Sequence, residues 1–204
     1  HVIAVKRDAN ETASIFAETW HSDWSFQDVP PAGTCLFGIT IPPVGGDTLF
    51  AIQQKAWDEM PGEMRAKFKS LKSIHSAALG YSKSGLYGED DGDDRSMDII
   101  HTDDALATHV HDLIRAHPET GREAIFSSVA YISGFVGFSH EAGRALLMEL
   151  YHWQTRPEFQ YRHTWQPNML IMWDNRSVIH MATGGYDGYG RLLHRTTIGE
   201  RVSG

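Results

Sequence analysis

The residues best suited to chemistry in this chain are a histidine and an aspartate two positions apart, His21 and Asp23. In an extended segment, residues two apart project to the same side, so an imidazole nitrogen and a carboxylate oxygen could hold one metal ion. A second histidine would complete the 2-His-1-carboxylate set that is typical of non-haem Fe(II) oxygenases. Alone the pattern is weak, because the chain has 12 histidines and repeats it at His101 and Asp103.

Further candidates lie in the C-terminal third of the chain. His180 shares a face with Val178 near the end of an extended run, and it is the candidate third ligand. Arg191 and Arg195 lie four apart in the last predicted strand and therefore share a face. Two such arginines repel each other unless an anion lies across them, although surface salt bridges are the alternative. Because a guanidinium binds a carboxylate through two parallel hydrogen bonds, the pair predicts a site for an acidic co-substrate.

The composition limits the class of protein. With 204 residues and 41% hydrophobic content, the chain can fill one core, so we expect one domain over residues 1–204. The net charge of −8 comes largely from five acids in Glu89–Asp94, and no basic stripe indicates a nucleic-acid partner. No apolar run has membrane-spanning length, so no membrane partner is expected. The single cysteine, Cys35, suits a reducing compartment, and a cytoplasmic location is expected.

The elements that must position the candidate residues are mostly strands. Ser139 is a suitable cap for the longest helix, whose apolar face would carry Ala142, Leu146, Leu150 and Trp153. Many short strands with two or three helices predict a mainly β fold with flanking helices, as in a double-sheet jelly roll. The pattern predicts strands at 1–5, 34–41, 47–50, 113–117, 124–132, 169–173, 177–181 and 191–198, and helices at 51–60, 63–71 and 140–153.

Residues 80–98 are the least regular stretch, and a solvated loop is the simplest interpretation. A lid over the site is the functional alternative, since long loops in compact domains are often lids. The acidic cluster in this stretch does not fit a calcium-binding EF-hand loop, because Tyr87 would occupy the first ligand position.

Four segments together resemble a known family, the Fe(II)/2-oxoglutarate-dependent dioxygenases of the taurine dioxygenase / 2,4-dichlorophenoxyacetate dioxygenase family. They occur in the family's order and spacing, and the resemblance covers most of residues 20 to 200. It implies a double-stranded β-helix, which is the jelly roll of these enzymes. Only 20 residues precede the His-x-Asp pattern here, so an N-terminal portion of the family fold is expected to be absent. The segments are 20–31, 45–48, 115–122 and 157–195.

The resemblance also implies a role for each matching residue. Three match the iron ligands: His21, Asp23 and His180. Two match residues that bind the distal carboxylate of 2-oxoglutarate: Thr48 and Arg191. Three residues are assigned to the substrate pocket. Arg195 matches the arginine near the substrate's anionic group, and Trp24, which follows the ligand aspartate, could form a wall of the pocket. Tyr81 falls roughly where the family has a pocket aromatic residue. The second His-x-Asp pattern falls in a variable region of the family and is expected at the surface.

The implied activity is hydroxylation of a small, anionic organic substrate, with Fe(II), 2-oxoglutarate and O2 as cofactors and with release of succinate and CO2. The presence of Asp23 favours oxygenation, because related halogenases lack this carboxylate. The family also suggests an oligomer of identical chains. One alternative is a zinc hydrolase with the same three ligands, which would leave Thr48, Arg191 and Arg195 without a role. The other is a non-catalytic jelly-roll binding protein.

Overall fold

A computed structural model describes residues 1–88 and 95–199, so the acidic cluster Glu89–Asp94 and residues 200–204 lie outside the described part. Within that part the chain is mainly β with few helices. None of the helices found there is long and apolar enough to cross a membrane. The strands are β1 (Ile3–Arg7), β2 (Gly33–Thr40), β3 (Thr48–Ile52), β4 (Lys72–Ser76), β5 (Thr108–Asp112), β6 (Ile114–Ala116), β7 (Glu123–Ile125), β8 (Ile132–Phe135), β9 (Gln160–His163), β10 (Leu170–Asp174), β11 (Val178–Ala182) and β12 (Arg191–Ile198). The helices are α1 (Gln53–Asp58), α2 (Gly62–Phe68), α3 (Ala78–Tyr81) and α4 (His140–Gln154), with short 3-10 turns at Asp103–Leu106 and Pro157–Phe159.

Two antiparallel sheets hold the candidate residues between them. One has the strand order β1-β12-β2-β10, and the other has the order β11-β3-β9. An isolated bridge between His21 and His180 adds the His-x-Asp segment to the free edge of β11. Inward-facing side chains of both sheets share one apolar cluster, which contains Leu36, Phe50, Trp165, Trp173 and Leu193.

A second apolar cluster lies where the helices pack. Most of its members come from α1, α2, α4 and the strands β6 to β8, and others come from the segments that join these elements. The most buried members include Trp57, Phe68, Leu113, Leu150 and Phe159. Next to it β4 lies between β5 and β8, and β6 and β7 form a hairpin. Helix α1 belongs to this cluster and follows β3 directly, so the cluster adjoins the sheet β11-β3-β9.

Most predicted elements are present, and β12 has the predicted limits. The strand predicted over residues 124–132 is wrong, because the chain forms β7, turns at residues 126–131 and then forms β8. The turn is stabilised by Ser128, whose carbonyl accepts hydrogen bonds from the backbone N–H groups of Tyr131 and Ile132. A run of β-favouring residues cannot reveal this break, since the break depends on the separate partners of β7 and β8, which are β6 and β4.

The predicted buried face of α4 is confirmed at Leu150 and wrong at Ala142. The buried residues are Gly143, Leu147, Leu150 and Gln154, whereas Ala142 is exposed. Leu146 and Trp153 are partly buried and pack at the edge of the helical cluster. The cap is confirmed, since the Ser139 hydroxyl accepts a hydrogen bond from the Ala142 N–H at 3.3 Å.

Four elements were not predicted: β4, α3, β5 and β9. Strand β4 illustrates the reason, because its inward positions carry Ser73 and His75, both fully buried, where an apolar pattern would be expected. Polar residues at buried positions remove the alternation on which strand prediction depends. Their burial is possible because each finds a hydrogen-bond partner: the Ser73 hydroxyl lies 2.9 Å from Nε2 of His75, and Nδ1 of His75 lies 3.0 Å from the Ser25 hydroxyl.

Candidate functional site

The predicted metal ligands meet between the two sheets. Donor atoms of His21, Asp23 and His180 all lie within 4.8 Å of one another, and all three residues are buried. The backbones of the two histidines exchange hydrogen bonds of 3.0 and 2.8 Å, which fixes their spacing. Asp23 lies in the turn just after His21, with its carboxylate oxygens 3.6 Å from Nε2 of His21 and 3.9 Å from Nε2 of His180.

Each histidine has a ring nitrogen whose lone pair is available to a metal ion. Nδ1 of His21 lies 2.7 Å from the Thr19 carbonyl, so the proton belongs on Nδ1 and the Nε2 lone pair faces Asp23. The His180 ring lies beside the rings of Phe50 and Trp173, with centroids 6.1 and 4.6 Å away. Burial lowers the pKa of His180 to about 3, so its imidazole is neutral, which is the form that binds metals.

The Asp23 carboxylate is held by a chain of hydrogen bonds that sequence reasoning missed. The Thr34 hydroxyl donates to Oδ2 of Asp23 at 2.6 Å and accepts from Nδ2 of Asn175 at 2.9 Å. Oδ1 of Asn175 in turn accepts from Nε1 of Trp173 at 2.9 Å. Burial raises the pKa of Asp23, but the charge of Arg195 and the contacts with both histidines outweigh burial and hold that pKa well below its usual range.

Arg191 lies in a small cavity that also contains the three candidate ligands. It is 6% exposed, and its guanidinium forms no ion pair with any residue in the described part of the chain. Burial lowers the pKa of Arg191, opposed by Tyr186 and Asp47, yet an arginine stays protonated in proteins. The turn at Gly46, which has φ +68°, makes room for this side chain, because a Cβ there would lie 3.3 Å from Cδ and Nε of Arg191.

Thr48 opens onto the same cavity from the start of β3. It is buried, and its hydroxyl oxygen accepts a hydrogen bond from Nε1 of Trp165 at 3.0 Å. The hydroxyl proton therefore remains available for an acceptor such as a carboxylate. Thr48 and Arg191 thus offer two hydrogen-bond donors to the cavity that contains the candidate ligands.

Arg195 lines the same cavity as Arg191 but has a different environment. One of its terminal nitrogens lies 2.9 Å from Oδ1 of Asp23, an ion pair without the alignment of a hydrogen bond. Its guanidinium carbon lies 5.0 Å from the ring centroid of Trp24. His194 between the arginines is exposed, so the two arginines do share the inward face of β12.

A second cavity of ≈ 180 Å³ adjoins the candidate ligands. Arg195, His21 and Asp23 line both cavities. The wall of the second cavity is largely aromatic and aliphatic, with contributions from Phe16, Leu79, Tyr81, Leu86, Tyr87 and Tyr131. Burial raises the pKa of both Tyr81 and Tyr131, so both phenols stay protonated and can act as donors.

Residues 2–197 match the family described as taurine catabolism dioxygenase TauD, TfdA family. The chain belongs to this family. A relative named alpha-ketoglutarate-dependent 2,4-dichlorophenoxyacetate dioxygenase, from Burkholderia sp. (strain RASC), is 36% identical over 197 residues, which are 95% of this chain and 63% of that relative. This member of the TauD/TfdA family therefore spans somewhat less than two thirds of that relative's length.

Two solved structures resemble this TauD/TfdA member. One, a taurine dioxygenase from Burkholderia xenovorans, superposes with a TM-score of 0.77 at 27% identity, over 98% of this chain and 65% of that one. The other, AAD-2 in complex with Mn(II) and N-oxalylglycine, has the same TM-score and identity over 91% of this chain and 61% of that one. Both likenesses agree with the mainly β fold described above.

The structure brings most predicted site residues together and separates others. The three candidate ligands, Thr48, Arg191 and Arg195 line one cavity, and Tyr81 lines the neighbouring one. Trp24 lines neither cavity and reaches the site only through Arg195, so its contact with substrate stays a prediction. His101 and Asp103 are not part of the ligand cluster.

Several site residues carried no sequence signal. Thr34 and Asn175 act through Asp23, and Tyr186 lies against Arg191, with the guanidinium carbon 6.0 Å from its ring centroid. Tyr131 enters the second cavity from the turn that interrupts the wrongly predicted strand. The polar residues Ser127 and Ser128 within the predicted strand could have suggested the break between β7 and β8. They could not have shown that this turn lies beside the candidate metal ligands.

Proposed function

We propose that this chain carries the catalytic site of an Fe(II)- and 2-oxoglutarate-dependent dioxygenase that hydroxylates a small, anionic organic substrate and releases succinate and CO2. One observation carries the proposal: a buried arginine with no ion pair in the described part of the chain, Arg191, shares a cavity with two histidines and a carboxylate. Burying an unpaired charge is costly, so such a site is built for an anion that arrives from outside.

The donor set of His21, Asp23 and His180 fits Fe(II) in chemical terms. Two neutral imidazoles and one carboxylate on one side of an ion are the facial set that leaves coordination positions open. Nδ1 of His21 is occupied by a backbone carbonyl and a Thr34 hydroxyl holds Asp23, so the ligands are oriented before an ion binds. When bound, Fe(II) with 2-oxoglutarate and O2 supplies the oxidising chemistry for attack on an unactivated C–H bond.

The protein's own contribution is to bind and orient. Arg191 and Thr48 offer a guanidinium fork and a hydroxyl proton to the distal carboxylate of 2-oxoglutarate. Leu36, Trp173 and Leu193 line this cavity with apolar surface, which excludes water and strengthens the charged contact. The co-substrate would thus be oriented by one charged and one neutral contact, at the end remote from the reacting atoms.

The second cavity limits the substrate to a small molecule. Its volume of ≈ 180 Å³ is close to the roughly 150 Å³ of an engineered apolar cavity that holds benzene, so one six-membered ring or a branched chain of similar size would fill it. Arg195 is the positively charged residue of its lining, which suits an anionic group. The names of two relatives, which refer to 2,4-dichlorophenoxyacetate and taurine, are consistent with an acidic substrate.

The proposal extends to the fold and the assembly. The strand orders β1-β12-β2-β10 and β11-β3-β9, with His21 added beside β11, support a double-stranded β-helix with the metal ligands between its sheets. We further propose that residues 1–204 form one domain and assemble into an oligomer of identical chains in the cytoplasm. The substrate would be a small molecule, with neither nucleic acid nor membrane as a partner.

Neither alternative accounts for the same residues. A zinc hydrolase needs the three ligands and a water, but it has no use for a buried unpaired Arg191 beside Thr48. A binding protein without catalysis has no reason to keep three metal donors converging in one buried cluster. No observation favours either function over the dioxygenase.

The deciding experiment is anaerobic addition of Fe(II) and 2-oxoglutarate to the purified, metal-free protein. We expect a weak visible charge-transfer band that needs both additions, followed on exposure to air by succinate release that is stimulated by the right acid. A screen of aryl, alkyl and sulfonic acids of single-ring size would find that acid. Absence of the band, together with zinc-dependent hydrolysis of esters, would reject the dioxygenase in favour of the hydrolase.

A further inference from the structure

We propose that Arg195 is a positioning residue for the metal site, holding the Asp23 carboxylate in the orientation that binds the ion, as well as facing the substrate pocket. This inference rests on the proposed function, because it assumes that Asp23 is a metal ligand. It gives Arg195 a second task that the resemblance did not imply. The effect would be felt in the affinity for the metal even when no substrate is present.

The first argument is the pairing of the two carboxylate oxygens. Oδ1 of Asp23 lies 2.9 Å from a terminal nitrogen of Arg195, and Oδ2 accepts the Thr34 hydroxyl at 2.6 Å. Arg195 belongs to β12 and Thr34 to β2, which are neighbouring strands paired with each other. Each oxygen therefore has a partner on a different strand, a hydrogen bond from β2 and an ion pair from β12, and both contacts restrict how the carboxylate can turn.

The second argument is the way in which Arg195 itself is held. Trp24, the residue after Asp23, adopts φ +49°, a left-handed conformation that is unfavourable for a tryptophan. Its ring lies under the guanidinium, with the guanidinium carbon 5.0 Å from the ring centroid. One turn thus supplies both a carboxylate and an aromatic face to the same guanidinium, so the strained backbone has a clear task in clamping Arg195.

The third argument comes from Arg191, which has the same side chain on the same face of the same strand. Both arginines line the cavity that contains the ligands, but only Arg195 has an ion pair with one of them. Removing either positive charge relieves repulsion of a bound metal ion. Only removal of Arg195 also takes away a contact with the Asp23 carboxylate, so the difference between the two variants isolates the positioning effect.

The test uses Mn(II) as a probe on the metal-free protein without 2-oxoglutarate, with free Mn(II) measured by electron paramagnetic resonance. Loss of a side chain that orients a metal ligand weakens metal binding by about 10–100-fold. We expect Arg195→Gln to bind Mn(II) about 10–100-fold more weakly than Arg191→Gln. Arg195→Lys, which keeps the charge and a donor, should recover part of the loss.

A spectroscopic measurement separates orientation from general damage. Co(II) bound to Arg195→Gln should give a changed visible absorption spectrum, because Oδ1 of Asp23 has lost its partner and only Thr34 still orients the carboxylate. Co(II) bound to Arg191→Gln should give the spectrum of the parent. Equal Mn(II) affinities in the two glutamine variants, or tighter binding by Arg195→Gln, would overturn the proposal. If Arg195→Gln does not fold, Trp24→Ala is the second variant, and parent-like Mn(II) affinity and Co(II) spectrum in it would equally reject the clamp.

Failure of this inference differs from failure of the dioxygenase assignment. If the Fe(II) and 2-oxoglutarate band forms in the parent but the glutamine variants bind Mn(II) equally, only the role of Arg195 is wrong. If the band does not form in the parent, the proposed function itself is wrong.

Discussion

Two buried clusters of polar side chains in this molecule differ in how their polar atoms are paired. In one, His75 is fully buried, with Nε2 2.9 Å from the Ser73 hydroxyl and Nδ1 3.0 Å from the Ser25 hydroxyl. In the other, the candidate metal site, Nδ1 of His180 and Nε of both Arg191 and Arg195 are buried and without hydrogen-bond partners among the described residues.

This difference in hydrogen-bond pairing distinguishes a histidine with a structural role, His75, from one that is expected to bind a ligand, His180. Buried polar atoms that find protein partners stabilise a fold and need nothing else. Buried polar atoms without partners, when they converge on one cavity beside three metal donors, indicate that a ligand supplies the missing contacts. Changes at the candidate site should therefore alter binding more than stability, and changes at His75 should do the reverse.

The largest effect is expected for His180→Ala. The variant removes one of three metal donors, so Mn(II) or Fe(II) binding and iron-dependent turnover should be lost at concentrations that saturate the parent. Calorimetric titration would measure the affinity, and circular dichroism would check the fold. His194→Ala is the matched control, since His194 is exposed on β12 and faces away from the site. Retained affinity in His180→Ala would mean that a different histidine is the ligand.

Arg191→Ala should weaken 2-oxoglutarate binding by about 2–5 kcal/mol, which is about 30-fold or more, because a buried carboxylate would lose its charged partner. Titration of the charge-transfer band would give the affinity. The free energy of unfolding should change little, since Arg191 has no ion pair to lose in the described part of the chain. The control is Arg162→Ala, which removes an exposed arginine paired with Asp47 at 2.8 Å and should leave 2-oxoglutarate affinity unchanged. An unchanged affinity in Arg191→Ala would refute the co-substrate assignment.

Acid should destabilise the metal-free protein through its buried histidines. Burial, together with the nearby charges of His111 and Arg115, lowers the pKa of His75 to about 3 in the folded state. The unfolded chain, with a histidine pKa near 6.5, takes up the proton first as the pH falls. Stability contributed by neutral His75 is therefore present above about pH 6.5 and is lost as the pH falls toward 3, by about 2 kcal/mol between pH 7 and pH 5.

Urea unfolding at several pH values would measure this loss, and His75→Leu is the variant that isolates it. Its free energy of unfolding should depend less steeply on pH, but it should be about 1–3 kcal/mol lower at pH 7, because two serine hydroxyls lose their partner. Metal and 2-oxoglutarate affinities should stay at parent levels. A pH dependence as steep as that of the parent would show that other groups cause the acid effect.

The smallest effect is expected for Thr48→Val. Loss of one hydroxyl donor to a carboxylate should cost about 1.5 kcal/mol, a roughly tenfold weaker binding of 2-oxoglutarate. Nε1 of Trp165 also loses its acceptor, so a modest loss of stability should accompany it. Thr48→Ser keeps the hydroxyl, and it should retain most of the affinity. Equal weakening in the serine and valine variants would show that the methyl group, rather than the hydroxyl, is what matters.

Sequence patterns predicted the parts of the fold that depend on near neighbours. The limits of β12, the Ser139 cap and the exposure of His194 between two inward arginines all follow from alternation or capping within a few residues. The break between β7 and β8 and the buried polar strand β4 were missed, because their stability comes from strands distant in sequence. The same limit applied to Thr34, whose hydroxyl reaches Asp23 only after β2 has paired with its neighbours.

By itself, the sequence determined which chemical groups are available: two histidines and a carboxylate as donors, and two arginines on one face of a strand. Only the tertiary structure decided that the donors meet, and that Arg195 forms an ion pair with Asp23 while Arg191 forms none in the described part of the chain. The reason is physical. The direction of a side chain is a local property of the backbone, whereas its partner and its exposure to water depend on which distant strands are brought alongside.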